Sequence, residues 1–185
     1  MTEGIAIADL LKFCTTSWRE TLKSPFSRAG YTWATDGHIM LRVALRDDVP
    51  ENDDAPRVEK VWTDYNGEFV PVTPFKLPSP SEFECDACRG RGTKHDCPNC
   101  QCMCRQCAGS GKDGSNIFIS VGPSAVSWRS AALMMTLPAL EVEVPAVATQ
   151  DRLHFQFAGG EGIVMLAELP HEVKIVADLL AGAVL

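Results

Sequence analysis

The chain has 185 residues, of which 45% are hydrophobic and 22% charged, and its formal net charge is -7. This length fits one globular domain with at most a small additional module, and the composition is that of a folded, soluble protein. The net negative charge argues against a molecule that holds nucleic acid non-specifically through its whole surface.

The first part of the chain predicts a short helix followed by a β-hairpin. Apolar residues recur at helical spacing over residues 5–15, with Cys14 on the apolar side as a small buried hydrophobe. Residues 31–35 and 38–43 are typical of strands, and Asp36-Gly37 between them predicts a tight type I′ turn.

An acidic loop, a second helix and a linker are expected next. The carboxylates of residues 46–55 indicate a solvated connection. Pro56 fits a first helical turn, and apolar residues continue at helical spacing as far as Tyr65. The prolines between Pro71 and Pro80 then favour an extended linker.

Seven of the eight cysteines follow within residues 85–111. Two C-x-x-C-x-G-x-G blocks, residues 85–92 and 104–111, flank a shorter stretch, H-D-C-P-N-C-Q-C, at residues 95–102. Each C-x-x-C pair can direct two thiolates at one ion, and the trailing glycines let the backbone pass close to the sulfurs. We expect a cytoplasmic protein, because the sequence shows neither a signal peptide nor a membrane span. Since thiols stay reduced there, the cluster indicates metal binding rather than disulfides.

The cysteines and one histidine of this segment suffice for two four-coordinate zinc ions. The favoured pairing gives one zinc to the outer cysteines, which are Cys85, Cys88, Cys104 and Cys107. The second zinc would then bind the inner set, which is His95, Cys97, Cys100 and Cys102. A sequential arrangement is the alternative, with one zinc on Cys85, Cys88, Cys97 and Cys100 and the other on the remaining ligands. A single zinc, with the inner cysteines unused, is a further alternative.

The remainder of the chain predicts strands and one or two helices. The expected elements are a strand at 116–121, a helix at 128–136, a strand at 140–144, a hairpin of 152–157 with 162–166, and a helical tail from His171. We therefore predict an α+β fold, in which an antiparallel sheet and two or three helices carry an inserted zinc module. The body would consist of residues 1–78 and 115–185, and the module of residues 79–114.

The two C-x-x-C-x-G-x-G blocks resemble the cysteine-rich zinc module of DnaJ-type co-chaperones. That family has four such blocks, and the resemblance implies that the outer pair shares one zinc. Here the inner pair is shortened to C-P-N-C-Q-C, without its glycines. The chain has no His-Pro-Asp loop of a J domain, so the resemblance does not imply a co-chaperone that drives an ATPase.

A second resemblance concerns the body of the protein. Ala34-Thr-Asp-Gly-His38, followed by the apolar strand, is similar to a turn of bacterial DNA polymerase sliding clamps. The order of the predicted elements is similar to one clamp repeat, whereas a full clamp chain has three. A body of this kind with a shortened DnaJ-like insertion resembles small proteins carried by phages and prophages, which implies the host cytoplasm as location.

Three hypotheses of function follow. The first is a non-enzymatic, zinc-binding adaptor for a protein partner, because a closed site of four protein ligands leaves no position for substrate. The second is a nucleic-acid-associated, clamp-like accessory protein, although the basic residues of the module are matched by acidic ones and no aromatic residue lies between Cys85 and Gly111. The third is a thiol redox protein. We do not predict an enzyme, because the sequence has no phosphate loop, nucleophile elbow or H-E-x-x-H motif.

Overall fold

The fold is built from two β-sheets and two short helices. A computed structural model of the chain describes residues 5–15, 19–62, 67–93, 102–113, 117–144, 151–167 and 174–184. In chain order the strands are β1 (Phe26–Arg28), β2 (Tyr31–Thr35), β3 (Ile39–Ala44), β4 (Phe69–Pro71), β5 (Ile117–Val121), β6 (Ser124–Ser127), β7 (Glu141–Glu143), β8 (Arg152–Phe157), β9 (Gly160–Met165), β10 (Lys174–Asp178) and β11 (Ala183–Val184). The helices are α1 (Ile7–Leu11) and α2 (Trp128–Met134).

The larger sheet has seven strands in the order β1-β2-β3-β9-β8-β7-β4, and every neighbouring pair is antiparallel. The hairpins β2–β3 and β8–β9 meet at its centre, where β3 pairs with β9. In the first hairpin Gly37 has a φ of +94° and His38 has no positive φ, so the turn differs from the predicted type I′. The α+β prediction is confirmed in its broad form, with more strand than helix.

The smaller sheet has four strands in the order β11-β10-β5-β6. Its central pair, β10 with β5, is parallel, and the two flanking pairs are antiparallel. Helix α2 follows β6 directly, and its N-cap residue Ser127 accepts a hydrogen bond from the N–H of Ser130. This cap satisfies one of the free backbone donors with which a helix begins.

The main core includes the inner face of the larger sheet, the smaller sheet and both helices. Fully buried side chains from all of these elements contribute to it, among them Leu10, Leu41, Ile119, Met134 and Phe155. A second, smaller cluster covers the outer face of the larger sheet. Its members are Phe26, Trp33, Met40, Ala55, Val58 and Ile163, with Trp62 packed against them.

Two predicted helices are wrong within the described residues. The segment from Pro56 forms only a 3-10 turn at Val58–Lys60, and the carbonyl of Val61, which a continuing helix would use, accepts a hydrogen bond from Nη1 of Arg152 instead. The segment predicted to be a helical tail forms strand β10 instead, which pairs with β5, a strand distant in sequence. The residues between 63 and 66, and those from 168 to 173, lie outside the described part of the chain.

The other predicted elements are present with small shifts of their ends. Helix α1 is shorter than residues 5–15, and Cys14 beyond it is buried as predicted. Strands β1, β4 and β6 had no sequence prediction of their own, and β11 lies in the tail that was predicted to be helical. Within the described ranges, no helix is long and apolar enough to cross a membrane.

Candidate functional site

The four outer cysteines converge on one point. The sulfur atoms of Cys85, Cys88, Cys104 and Cys107 all lie within 4.8 Å of one another, and each of the four residues is buried. Sγ of Cys85 lies 3.9 Å from Sγ of Cys104, and Sγ of Cys88 lies 3.8 Å from Sγ of Cys107. All four are free thiols rather than disulfides.

This spacing fits a tetrahedral thiolate site. Because a Zn–S bond is about 2.3 Å long, the edge of a regular ZnS4 tetrahedron is about 3.8 Å. The two distances across the site agree with this edge. The four cysteines could therefore hold one metal ion, and the geometry is consistent with zinc.

Each C-x-x-C-x-G-x-G block folds into a tight loop that we call a knuckle, the first at residues 85–92 and the second at residues 104–111. In the first, the N–H of Gly92 donates to Sγ of Cys88 at 3.3 Å. In the second, the N–H of Gly111 donates to Sγ of Cys107 at the same distance, 3.3 Å. These donors favour the thiolate form that binds metal.

The two knuckles also bind each other reciprocally. The N–H of Cys85 donates to the carbonyl of Gly111 at 2.9 Å, and the N–H of Cys104 donates to the carbonyl of Gly92 at 2.8 Å. Gly92 and Gly111 both have a φ of +73°, and a Cβ at either would overlap a backbone carbonyl of the opposite knuckle. Only glycine therefore fits where the two backbones cross.

The electrostatics of the four thiols are unequal. Burial raises the pKa of the Cys85 thiol to about 12, and hydrogen bonds with the thiols of Cys88 and Cys107 add to that effect. Burial also opposes ionisation of Cys107, but the N–H of Gly111 and the three neighbouring thiols outweigh it and lower the pKa of Cys107 to about 7. Four thiols this close favour losing protons to a cation, since a bound cation stabilises all of the thiolates together.

Among the described residues, the cysteine cluster contains no other side chain, and it is separate from both hydrophobic clusters. The residues that flank the two knuckles in sequence attach them to the body. Phe83 packs against the main core and lies under the Lys174 ammonium, which is 4.7 Å from the ring centroid. The indole N–H of Trp128 donates to the carbonyl of Pro78 at 2.8 Å, and the N–H of Asp113 donates to the carbonyl of Phe83 at 3.2 Å.

The inner ligand set cannot be placed as a whole. His95, Cys97 and Cys100 lie outside the described residues. Cys102 is described and exposed, and it is not a member of the four-cysteine cluster. The second zinc site therefore stays a prediction.

An apolar groove on the outer face of the larger sheet had no prediction from the sequence. It has a volume of about 250 Å3. Its floor contains Met40 from β3 and Ile163 from β9, and Val58 from the 3-10 turn lies at the base of one wall. Val61 and Met165 form its sides, and they are 44% and 43% exposed.

The edge of this groove carries basic side chains, although the whole chain is acidic. Arg19, Arg57 and His38 line the edge. Two carboxylates lie nearby: Glu59 pairs with Arg28 at 3.3 Å, and Asp36 accepts the backbone N–H of His38 and lies 4.0 Å from its Nδ1. The groove is therefore apolar inside, with basic side chains at its rim.

The groove was missed because its residues come from four separate parts of the chain, which only the tertiary fold brings together. The one sequence signal close to it was the Ala34–His38 turn, since Thr35, Gly37 and His38 line the groove.

Comparisons with known proteins place the chain in no family: no protein-family model, curated protein or solved structure matches it.

Proposed function

We propose that this protein is a non-enzymatic, zinc-binding adaptor, in which zinc has a structural role and the body binds a segment of a partner protein. The convergence of four buried cysteine sulfurs carries the first half of the proposal. Four protein ligands complete the coordination of a tetrahedral ion, so neither water nor substrate has a place on it. Such a zinc holds a fold together instead of doing chemistry.

A structural role for zinc also follows from what the module lacks. Within residues 79–93 and 102–113, which the structure describes, its buried cluster consists of the four cysteines and includes no aliphatic or aromatic side chain. Without a hydrophobic core, the free energy that orders such a segment has to come from the metal, and structural zinc supplies about 10–16 kcal/mol in small zinc modules. We propose a shortened module of the DnaJ type.

The apolar groove supports the second half of the proposal. At about 250 Å3 it is smaller than the usual site for a drug-sized ligand or cofactor. It suits the apolar side chains of a peptide, and its basic rim complements acidic residues beside them. We therefore propose an acidic peptide with one or two large apolar residues as its ligand.

The test is selection of peptides from a displayed random library on the zinc-loaded protein. We expect apolar-acidic peptides whose affinity falls at least tenfold in Met165→Glu, because a carboxylate on the wall desolvates poorly and repels acidic ligands. Leu45→Glu is the matched control, since Leu45 is 50% exposed and does not line the groove. Peptides that bind Met165→Glu as tightly as the parent protein would show that the groove is not their site.

A second candidate is a clamp-like accessory protein of replication in a phage-infected or prophage-carrying cell. The observation that favours it is that the residues of the clamp-like turn, Thr35, Gly37 and His38, line the groove. We expect capture of replication proteins from a bacterial lysate after nuclease treatment, and loss of that capture in Met165→Glu. Capture that disappears with nuclease in the unmodified protein would indicate bridging by nucleic acid instead.

A thiol redox role is the weakest of the three proposals. The four thiols are buried, whereas a redox thiol is accessible to its substrate. Measurement of the bound zinc distinguishes the redox role from the zinc-binding role, and it also gives the number of zinc ions per chain. We expect Cys102→Ser to retain one zinc of unchanged affinity, and a parent protein that binds two would place the second on the inner set.

A further inference from the structure

One wall of the groove is formed by the 3-10 turn, and Trp62, the residue that anchors this turn to the sheet, lies outside the groove. Val58 and Val61 line the groove, and Trp62 directly after them does not. The N–H groups of Val61 and Trp62 both donate to the carbonyl of Val58, at 3.0 and 2.9 Å. Because these bonds make the turn a single compact unit, a displacement of Trp62 moves Val58 and Val61 with it.

The Trp62 ring is fixed by a stack on the larger sheet. The guanidinium carbon of Arg42 lies 3.9 Å from the ring centroid of Trp62 and 4.4 Å from the ring centroid of Tyr31. Arg42 is itself held by Glu161, with Nε and Nη2 at 2.8 and 2.6 Å from Oε1. Trp33 meets the Trp62 ring edge-on, with a centroid distance of 5.4 Å. A planar guanidinium that is held by a carboxylate and contacts both rings is a stiff support for the Trp62 ring.

A second support acts on the backbone of the same turn. Nη1 of Arg152, on β8, donates to the carbonyl of Val61 at 2.6 Å. The His154 ring also lies edge-on to the Trp62 ring, with a centroid distance of 6.4 Å. His154 is buried, and its Nδ1 is hydrogen-bonded to Oε2 of Glu143 at 2.9 Å. The turn is therefore held to strands β3 and β8 by groups that do not enter the groove.

We propose that Trp62 is a positioning residue of the groove, and that its stack on Arg42 sets the wall formed by Val58 and Val61. This inference rests on the proposed function, since it assigns the residue that shapes the peptide site. Loss of the stack would let the wall move away from Met40 and Ile163, which widens the groove and weakens its hold on an apolar side chain.

Two measurements on Trp62→Ala test the inference. We expect faster hydrogen exchange at the amides of Lys60, Val61 and position 62, with the amides of β3 unchanged. For a fluorescently labelled peptide from the library selection, we expect about 5- to 30-fold weaker binding, the range of a cation–π contact. Trp62→Phe should keep most of the peptide affinity and most of the protection of the turn from hydrogen exchange, because a phenyl ring can still stack on Arg42.

The controls separate positioning from general damage. Tyr31→Ala removes the other ring that contacts Arg42 but keeps the contact between Arg42 and Trp62, so it should cost less peptide affinity than Trp62→Ala. Arg42→Lys keeps the positive charge but loses the planar stack, so it should reproduce part of the Trp62→Ala loss. Unchanged exchange of the turn in Trp62→Ala, or an equal loss of binding in Tyr31→Ala, would overturn the inference. Failure of the parent protein to bind any selected peptide would instead count against the proposed function, and the exchange measurement would still decide whether Trp62 holds the turn.

Discussion

The apolar core of this protein and its two cysteine knuckles are stabilised by different forces. In the body, side chains such as Leu41, Phe155 and Ile119 are completely buried in a continuous apolar core. In the module, the buried cluster is four cysteine residues, and reciprocal backbone hydrogen bonds join the two knuckles. The body gains free energy from removing apolar surface from water, which acts without any ligand. The module has no comparable source, so we expect it to depend on metal while the body does not.

Removal of the metal should give the largest effect. With a strong chelator, we expect the amides of Cys85 and Cys104 to lose their protection from hydrogen exchange, because about 10–16 kcal/mol of metal binding no longer orders the knuckles. The amides of β3 and β9 should keep their protection, and added zinc should restore that of the module. Mass-spectrometric hydrogen exchange measures both regions in one sample. Loss of protection in β3 together with the module would show that the two regions form one cooperative unit.

A core substitution should affect the body alone. Phe155→Ala removes a fully buried ring, and we expect the free energy of unfolding of the body to fall by about 3–5 kcal/mol. Denaturant unfolding followed by tryptophan fluorescence measures that change. The zinc affinity, measured against a chromophoric chelator under native conditions, should stay within about twofold of the parent value, since Phe155 and the four cysteines belong to separate buried clusters. A parallel fall of the zinc affinity would contradict independent stabilisation.

Glycine substitutions should affect the module alone. In Gly92→Ala a Cβ would overlap the carbonyl of Gly109 at a position with a φ of +73°. We expect about 10- to 100-fold weaker zinc binding, which corresponds to about 1–3 kcal/mol of strain. Gly90→Ala is the matched control, because Gly90 also has positive φ but a Cβ there meets only the flexible side chain of Glu84. Equal losses in the two variants would mean that backbone conformation, and not the crossing of the knuckles, sets the affinity.

The smallest effect concerns the reactivity of Cys14. Burial raises the pKa of the Cys14 thiol to about 11, so only about one thiol in a thousand is ionised at about pH 8. We expect Cys14 to resist alkylation at that pH with and without chelator, while the knuckle thiols become reactive once metal is removed. Peptide mapping after timed iodoacetamide treatment distinguishes the two classes. A chelator-dependent reaction at Cys14 would show that its protection also depends on metal.

The same contrast explains what the sequence could predict. The four cysteines of the cluster are close in sequence and their spacing has few chemical explanations, so the residues of the first site could be named from their pattern alone. The hairpin of β8 and β9 was equally accessible, since alternation of apolar residues and a glycine turn are local signals. Local patterns predicted the pairing of neighbours in sequence, although not the turn type of the first hairpin.

The missed features depend on partners that are distant along the chain. The apolar run of β10 fits a helix as well as a buried strand, and its parallel pairing with β5 decides between them. Val58 and Trp62 have helical spacing, but both pack on the outer face of the larger sheet and only one turn forms. The groove required the positions of β3, β9 and the 3-10 turn together, and no short motif encodes such an arrangement.

The order of folding events follows from the centre of the larger sheet. Arg42 of β3 and Glu161 of β9 face each other across a sequence separation of 119 residues. Loop closure of this length is slow and entropically costly, so during synthesis the sheet cannot be completed until β9 has left the ribosome. The knuckles are closed by contacts between residues much closer in sequence, with a separation of 19 between Cys85 and Cys104. A nascent chain can therefore bring its two knuckles together before the larger sheet is finished, and the knuckles can become ordered before the centre of that sheet.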